Sequence, residues 1–168
     1  MDRHAPEDYV EPSAEASIAA TKSFIAHVHA LVTPSNDAKS PLVCPILTPR
    51  FAISCTPPLL TALGALAAED PDLHIQTHIS ENPAEIAFTK ELFPACKTYA
   101  GVYDAHGLLR SNTILAHAVH LEEEEIQLIA HRGAGVSHCP TSNFNLSSGV
   151  APVGKLLDRG IKVSLCSN

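Results

Sequence analysis

The chain alternates between short apolar runs and longer stretches in which apolar residues recur every three or four positions. Short apolar runs are typical of buried strands, and the longer spacing is typical of helices that bury one face. The pattern predicts strands at 46–48, 73–79, 113–118, 135–138 and 161–165. It predicts helices at 13–31, 57–66, 82–93, 102–109, 122–131 and 151–158, with polar loops at 33–41 and 141–148.

Alternating strands and helices are typical of an α/β protein whose parallel strands are joined by crossover helices. Each predicted strand ends beside a polar or ionisable side chain, and these are Arg50, His78, His117, His138 and the pair Ser167 and Asn168. A doubly wound sheet collects its site at one crevice, whereas a TIM-like barrel takes groups from many strand ends. We therefore predict a partial (β/α)8 barrel with about five parallel strands, forming one domain over 1–168.

The overall composition excludes several classes of protein. Hydrophobic residues make up 45% of the 168 residues and charged residues 17%, which is typical of a globular domain. The net charge of −7 argues against a nucleic-acid binder, which usually carries a basic patch. No apolar run approaches the roughly 20 residues that a membrane helix needs.

Five cysteines are present, and none of them forms a C-x-x-C pair. An odd number without that spacing favours reduced thiols, which we expect to be mostly buried as small apolar side chains. The polar, acidic first residues do not resemble a signal peptide. These features predict a cytoplasmic protein.

The segment HIQTHISE at 74–81 carries the clearest candidate chemistry. His78 ends a predicted strand, and Glu81 follows three residues later, where a helix is about to begin. A neutral imidazole can hold a divalent metal, and a nearby carboxylate can move protons for a water molecule at that metal. His117 ends the next strand in the same way. The alternatives are that His78 is a core histidine, that Glu81 only favours the helix dipole and that His117 only caps a strand.

Other polar residues are weaker candidates. Arg50 is either a pocket residue whose planar fork suits a carbonyl or carboxylate, or a surface ion-pair partner. His138 stays open between a site role and a structural one. His27 and His29 imitate a metal-binding pair, but they fall in a predicted helix, where that spacing places them on different faces.

Five segments together resemble the amidohydrolase superfamily, and within it the guanine deaminases. They are LTPRF at 47–51, HIQTHISE at 74–81, LAH at 115–117, SHCPTSN at 137–143 and LSSG at 146–149. The resemblance implies a metal-dependent barrel hydrolase that uses zinc to convert guanine to xanthine and ammonia in purine catabolism. Its implied small-molecule partner is guanine, and a homo-oligomer is an open alternative.

The resemblance also implies roles for single residues. His78 resembles a zinc ligand, and His117 resembles a histidine beside the metal that is the weaker candidate ligand. Glu81 resembles the general acid and base of the reaction, so Glu81 and His117 are the implied catalytic residues. Arg50 and Phe51 resemble residues that contact guanine. Asn168 occupies the position of a family aspartate that binds metal.

This sequence also departs from the family pattern. The family takes two metal ligands from a His-x-His on its first strand, and we expect this chain to begin after the third strand. The neutral amide of Asn168 is a poor zinc ligand and cannot act as a base. We therefore expect an incomplete copy with weak or no activity. The alternatives are an amidohydrolase for another amino-purine, pterin or triazine, and a non-catalytic fragment that binds a partner.

Overall fold

The computed structural model describes residues 1–31 and 43–166. The whole loop predicted at 33–41, together with Ser167 and Asn168, lies outside the described residues. The strands are β1 (Ile46–Leu47), β2 (His74–Ile79), β3 (Thr113–His117), β4 (Gly135–His138) and β5 (Val163–Leu165). The helices are α1 (Ala14–Leu31), α2 (Pro57–Glu69), α3 (Pro83–Leu92), α4 (Tyr99–Ala105), α5 (Glu123–Arg132), α6 (Pro140–Asn145) and α7 (Val153–Asp158), with single 3-10 turns at Glu7–Tyr9 and Ala52–Ser54.

The five strands form one parallel sheet in the order β1-β2-β3-β4-β5. Each strand therefore pairs with the next one along the chain, and the order never reverses. A doubly wound sheet contains such a reversal, and its crevice lies there. The uninterrupted order is that of an arc of a (β/α)8 barrel, so the predicted fold class is confirmed.

The two faces of the arc have different environments. One face carries Leu47, Ile75, Ile79, Leu115 and Val136, which are all nearly inaccessible and pack against the helices. On β2 the burial alternates residue by residue, because successive strand side chains point to opposite faces. The opposite face, which a closed barrel would turn inward, carries the exposed side chains of Gln76 and Ile114.

Capping residues define where the helices begin. The side chain of Thr56 accepts a hydrogen bond from the backbone N–H of Leu59 at the start of α2. Asn82 and Glu85 form a reciprocal capping box at the start of α3. The left-handed Gly133 ends α5 after its acidic first turn. The starts of α2 and α3 and the end of α5 agree with the sequence prediction.

Four sequence predictions are wrong in detail. The segment 141–148 was expected to be a loop, but α6 forms there because Pro140 occupies the first helical turn and the N–H of Asn143 bonds to the Cys139 carbonyl at 3.0 Å. Helix α4 starts at Tyr99, earlier than the predicted 102, because Thr98 caps it. Helix α7 and strand β5 each begin two residues later than predicted.

The expectation that most cysteines are buried is also wrong. Cys55 and Cys139 are buried and Cys96 is half-buried, whereas Cys44 and Cys166 are exposed. Among the described residues, no helix combines the length and apolar character that crossing a membrane requires.

Candidate active site

The ends of β2 and β3 meet in a tight backbone arrangement. The N–H of Ala118 donates to the Ile79 carbonyl at 3.0 Å, and the N–H of Val119 donates to the Ser80 carbonyl at 3.1 Å. Ser80, His117 and Ala118 have positive φ angles of 48°, 71° and 52°, a region that non-glycine residues rarely adopt. Strained residues of this kind cluster at functional sites. The strain lies beside the two predicted site histidines.

His78 is held through its ring and its backbone by the carbonyl of Arg50. Its Nδ1 lies 2.7 Å from the Arg50 oxygen, and its backbone N–H donates to the same oxygen at 3.0 Å. A carbonyl oxygen only accepts, so Nδ1 carries the proton and Nε2 carries the lone pair. Burial lowers the pKa of His78, and the bond to Arg50 opposes that shift only in part. The neutral imidazole that results is the form that binds metals.

His117 is almost completely buried, with 1% of its side chain accessible. Its Nδ1 lies 2.8 Å from Oδ1 of Asn143 and 3.4 Å from Oε1 of Glu81. Its Nε2 is buried and has no hydrogen-bond partner among the described residues. The rings of His78 and His117 stack with centroids 5.0 Å apart, so the two imidazoles lie side by side.

Glu81 is placed at this site without serving as a helix cap. The cap of α3 consists of Asn82 and Glu85, and Oε2 of Glu85 also accepts the Glu81 backbone N–H at 2.8 Å. The Glu81 side chain is 16% accessible, and its buried Oε1 makes no hydrogen bond among the described residues. A buried carboxylate oxygen without a partner is costly unless a ligand or water satisfies it. This geometry favours proton transfer over the alternative of a simple helix-terminal acid.

Arg50 and Phe51 lie on the wall of the same cavity. This cavity has a volume of 610 Å³, and His78, Glu81 and His117 also line it. The Arg50 guanidinium lies 5.9 Å from the centre of the Phe51 ring, and that ring lies 6.3 Å from the His78 ring. All five predicted residues that the structure describes therefore share one cavity. A flat aromatic ring and a charged donor fork together suit a planar heterocycle with a carbonyl group.

The donor set suits part of a metal site. The two imidazoles lie side by side, and the Nε2 of His117 is a buried nitrogen without a partner among the described residues. A catalytic zinc usually takes three protein ligands and a water. Within 1–31 and 43–166, no group of three or more His, Cys, Asp or Glu side chains is arranged to hold a metal ion. Asn168, the third predicted position, lies outside the described residues.

The remaining histidine predictions have mixed outcomes. His138 does not line the cavity that His78 and His117 share, and its buried Nδ1 has no hydrogen-bond partner among the described residues. His27 and His29 lie within α1, as predicted, and not on a strand.

Three supporting residues were not identified from the sequence. Asn143 contacts His117, Glu85 holds the backbone of Glu81, and the hydroxyl of Tyr103 donates to the His78 carbonyl at 2.7 Å. Asn143 lies in the segment SHCPTSN at 137–143, and the resemblance of that segment to the family is the sequence feature that could have identified it. The sequence spacing of Tyr103 and Glu85 gave no comparable signal.

The sequence profile described as the Amidohydrolase family matches residues 9–168, so the chain belongs to this family of barrel hydrolases. Its relatives include guanine deaminases. The probable guanine deaminase of Schizosaccharomyces pombe is 54% identical over 165 residues, which cover 98% of this chain and 30% of that protein. The Dictyostelium discoideum guanine deaminase is 48% identical over 168 residues, which cover 100% of this chain and 35% of that protein. The chain thus spans about a third of the length of these curated relatives.

A crystal structure of guanine deaminase from C. acetobutylicum with bound guanine is also similar. It matches with a TM-score of 0.88 and 41% identity, over 100% of this chain and 38% of that one. More distant structures, such as an atrazine chlorohydrolase from Arthrobacter aurescens complexed with zinc and atraton, share the fold at a TM-score of 0.82 and 22% identity, over 98% of this chain and 34% of that one.

Proposed function

We propose that this chain forms the purine-binding and proton-transfer part of a zinc-dependent guanine deaminase. The observation that carries the proposal is the shared cavity, which Glu81, His78 and His117 line together with Arg50 and Phe51. The likeness to guanine deaminases, one of them crystallised with guanine, supports guanine as the substrate. The reaction consumes guanine and water and releases xanthine and ammonia.

Phe51 and Arg50 are the two residues that would bind the purine. Phe51 offers a ring face to the planar purine, and the Arg50 guanidinium donates hydrogen bonds to the purine carbonyl. Arg50 is exposed, so its free end can reach a ligand that enters the open cavity. The carbonyl of Arg50 is already committed to His78, which ties the purine contact to the metal ligand.

Proton transfer falls to Glu81. Its Oε1 takes one proton of the attacking water and gives it to the purine ring. The remaining proton of the added hydroxyl then moves to the exocyclic amine, the C–N bond breaks, ammonia leaves, and the new carbonyl of xanthine forms. His78 and His117 would hold zinc through their Nε2 atoms, with His117 as the weaker candidate ligand. When bound, zinc lowers the pKa of a water molecule in the site so that the water can attack near neutral pH. Further ligands would have to come from outside the described residues.

A second candidate function is a guanine-binding module without turnover. Among the residues that the structure describes, two histidines converge, which is fewer than the three protein ligands usual for catalytic zinc and favours this alternative. Amidohydrolase chemistry on another amino-purine, pterin or triazine stays an alternative substrate assignment. A cytoplasmic location and a homo-oligomer remain predictions.

Guanine binding to the purified chain tests the purine site. We expect Arg50→Met to weaken binding about 10-fold or more, because a hydrogen bond from a charged donor is worth about 1.5–3 kcal/mol. Arg159→Met is the matched control, since Arg159 lies beyond α7 and pairs with Glu123. Calorimetric titration with guanine measures both variants. Failure of the unmodified chain to bind guanine would refute the assignment of the site.

Zinc content and ammonia release then separate the two candidate functions. His78→Ala should reduce zinc retained after dialysis, whereas His74→Ala at the opposite end of β2 should not. If the chain deaminates guanine, Glu81→Gln should abolish the release of ammonia while Glu91→Gln, on the exposed side of α3, leaves it unchanged. Guanine binding without any ammonia release would favour the non-catalytic module.

A further inference from the structure

Asn143 is the buried residue closest to the chemistry that the proposed function leaves without a role. Its side chain is completely inaccessible, and it lies on the short helix α6 directly after β4. The backbone of Asn143 is fixed on both sides, because its N–H bonds to the Cys139 carbonyl at 3.0 Å and its carbonyl accepts the Ser148 N–H at 2.8 Å. The amide is therefore held rigidly against His117.

The contact between Asn143 and His117 determines which ring nitrogen carries the proton. Oδ1 of Asn143 lies 2.8 Å from Nδ1 of His117, and an amide oxygen can only accept. If the amide were flipped, its NH2 group would face Nδ1 of His117, and Nδ1 would have to carry a lone pair to accept from it. A lone pair there is unfavourable, because the Glu81 carboxylate, a second acceptor, lies 3.4 Å from Nδ1. Nδ1 therefore carries the proton, and Nε2 presents its lone pair.

The distances also show which acceptor holds the ring. The amide oxygen of Asn143 is within normal hydrogen-bond distance of Nδ1, whereas the nearest Glu81 oxygen at 3.4 Å is beyond the usual range. If Asn143 were absent, the Nδ1–H would have only Glu81 to bond. The carboxylate would then be occupied in orienting His117 and less available to move protons.

We infer that Asn143 is a positioning residue, which fixes His117 in its Nδ1–H tautomer and thereby leaves Glu81 free. This role deepens the proposed function and rests on it for its purpose. The same tautomer is imposed on His78 by a different acceptor, the Arg50 carbonyl. Both imidazoles of the cavity thus carry their lone pair on Nε2, and in each case a neutral oxygen is the acceptor at normal hydrogen-bond distance.

Nitrogen NMR of the imidazole side chains in the zinc-free chain tests this inference directly. In the unmodified chain we expect His117 to show one tautomer, protonated at Nδ1. Asn143→Leu should lower the ratio of Nδ1–H to Nε2–H by about fivefold or more, which corresponds to one typical hydrogen bond. Asn143→Asp keeps an acceptor oxygen at the same position and should retain the proton on Nδ1. Asn145→Leu, at an exposed position of the same helix, should change nothing.

The variant Glu81→Gln shows which of the two acceptors, Asn143 or Glu81, fixes the tautomer of His117. If Asn143 holds the ring, His117 keeps its tautomer in Glu81→Gln, whereas in Asn143→Leu the ratio of Nδ1–H to Nε2–H falls, because the remaining Glu81 oxygen at 3.4 Å is the weaker acceptor. Loss of the tautomer in Glu81→Gln, or an unchanged ratio in Asn143→Leu, would overturn the inference. The tautomer of His78 reports whether the fold survives in each variant, and Asn143→Ser replaces Asn143→Leu under the same criterion if His78 is disturbed. The measurement needs neither zinc nor guanine, so its failure is distinguishable from failure of the proposed function.

Discussion

Replacing Tyr103 by phenylalanine should destabilise the chain more than the loss of one ordinary hydrogen bond. The hydroxyl is completely buried and joins two segments that carry site residues. It donates to the His78 carbonyl at 2.7 Å and accepts from the backbone N–H of Ala52 at 3.0 Å and from the Thr77 hydroxyl at 2.9 Å. Burial raises the pKa of Tyr103, so the hydroxyl stays protonated and able to donate.

The size of the effect follows from what the variant leaves behind. Ala52 is completely buried, and its backbone N–H donates to the Tyr103 hydroxyl. A buried donor left without a partner costs about 1–3 kcal/mol, and each net hydrogen bond that is lost adds about 1 kcal/mol. Tyr103→Phe should therefore lower the free energy of unfolding by about 2–4 kcal/mol, out of the roughly 5–15 kcal/mol typical of a domain.

Urea unfolding followed by circular dichroism measures this free energy by linear extrapolation. Tyr9→Phe is the matched control, because the Tyr9 side chain is 67% exposed and its change should stay within about 0.5 kcal/mol. Hydrogen exchange at the Ala52 amide should also become faster in Tyr103→Phe. A change in unfolding free energy no larger than that of the control would refute the argument that this hydroxyl joins the two segments.

Three further predictions use other buried groups. Burial raises the pKa of Cys55 to about 11, so its thiol stays protonated and unreactive at pH 8. An aromatic disulfide reagent should therefore label the exposed Cys166 quickly and Cys55 only after unfolding, and mass spectrometry locates the labelled sites. Equal labelling rates would contradict this prediction. Glu85→Gln should lower the unfolding free energy by about 1–3 kcal/mol, because one acceptor oxygen is lost from the bonds to the Glu81 N–H and the Tyr99 hydroxyl, whereas a surface change such as Glu91→Gln should cost little. Burial raises the pKa of Glu125, so the folded state holds that proton more tightly than the unfolded state, and the resulting stability is lost as pH rises from about 4.5 through the folded pKa. The unfolding free energy of the unmodified chain, relative to that of Glu125→Gln, should therefore fall over this range in urea titrations, and a constant difference would count against the assignment.

The elements that sequence reasoning predicted well depend on local patterns. The strand at 74–79 and its helix at 83–92 follow from an apolar run, a capping box and a proline, all within about twenty residues of one another. The positions of His78 and Glu81 at the sheet edge follow from the same segment. Helix α6 was not predicted because its Thr, Ser and Asn residues favour turns, although Pro140 in its first turn is compatible with a helix start.

The supporting contacts could not be predicted, because their partners are distant in sequence. The hydroxyl of Tyr103 meets Ala52, which is 51 residues away, and Asn143 meets His117 across 26 residues. Such pairs are fixed only when the helices pack on the sheet. A tyrosine on a buried helix face and an asparagine in a polar stretch have ordinary roles in most folds. Local spacing therefore identifies the reacting groups more readily than it identifies the residues that orient them.

The division of hydrogen bonds among the site residues explains why the carboxylate of Glu81 is available for chemistry. His78 and His117 each carry a proton on Nδ1 that needs an acceptor, and the Arg50 carbonyl and the Asn143 amide supply those acceptors at 2.7 and 2.8 Å. The backbone N–H of Glu81 is satisfied by a different acid, Glu85. Oε1 of Glu81 is consequently left without a hydrogen bond among the described residues, close to a buried ring whose Nε2 is also unpaired. A buried acceptor without a partner is unfavourable, so Oε1 of Glu81 and Nε2 of His117 each favour a cation or a proton donor as a partner.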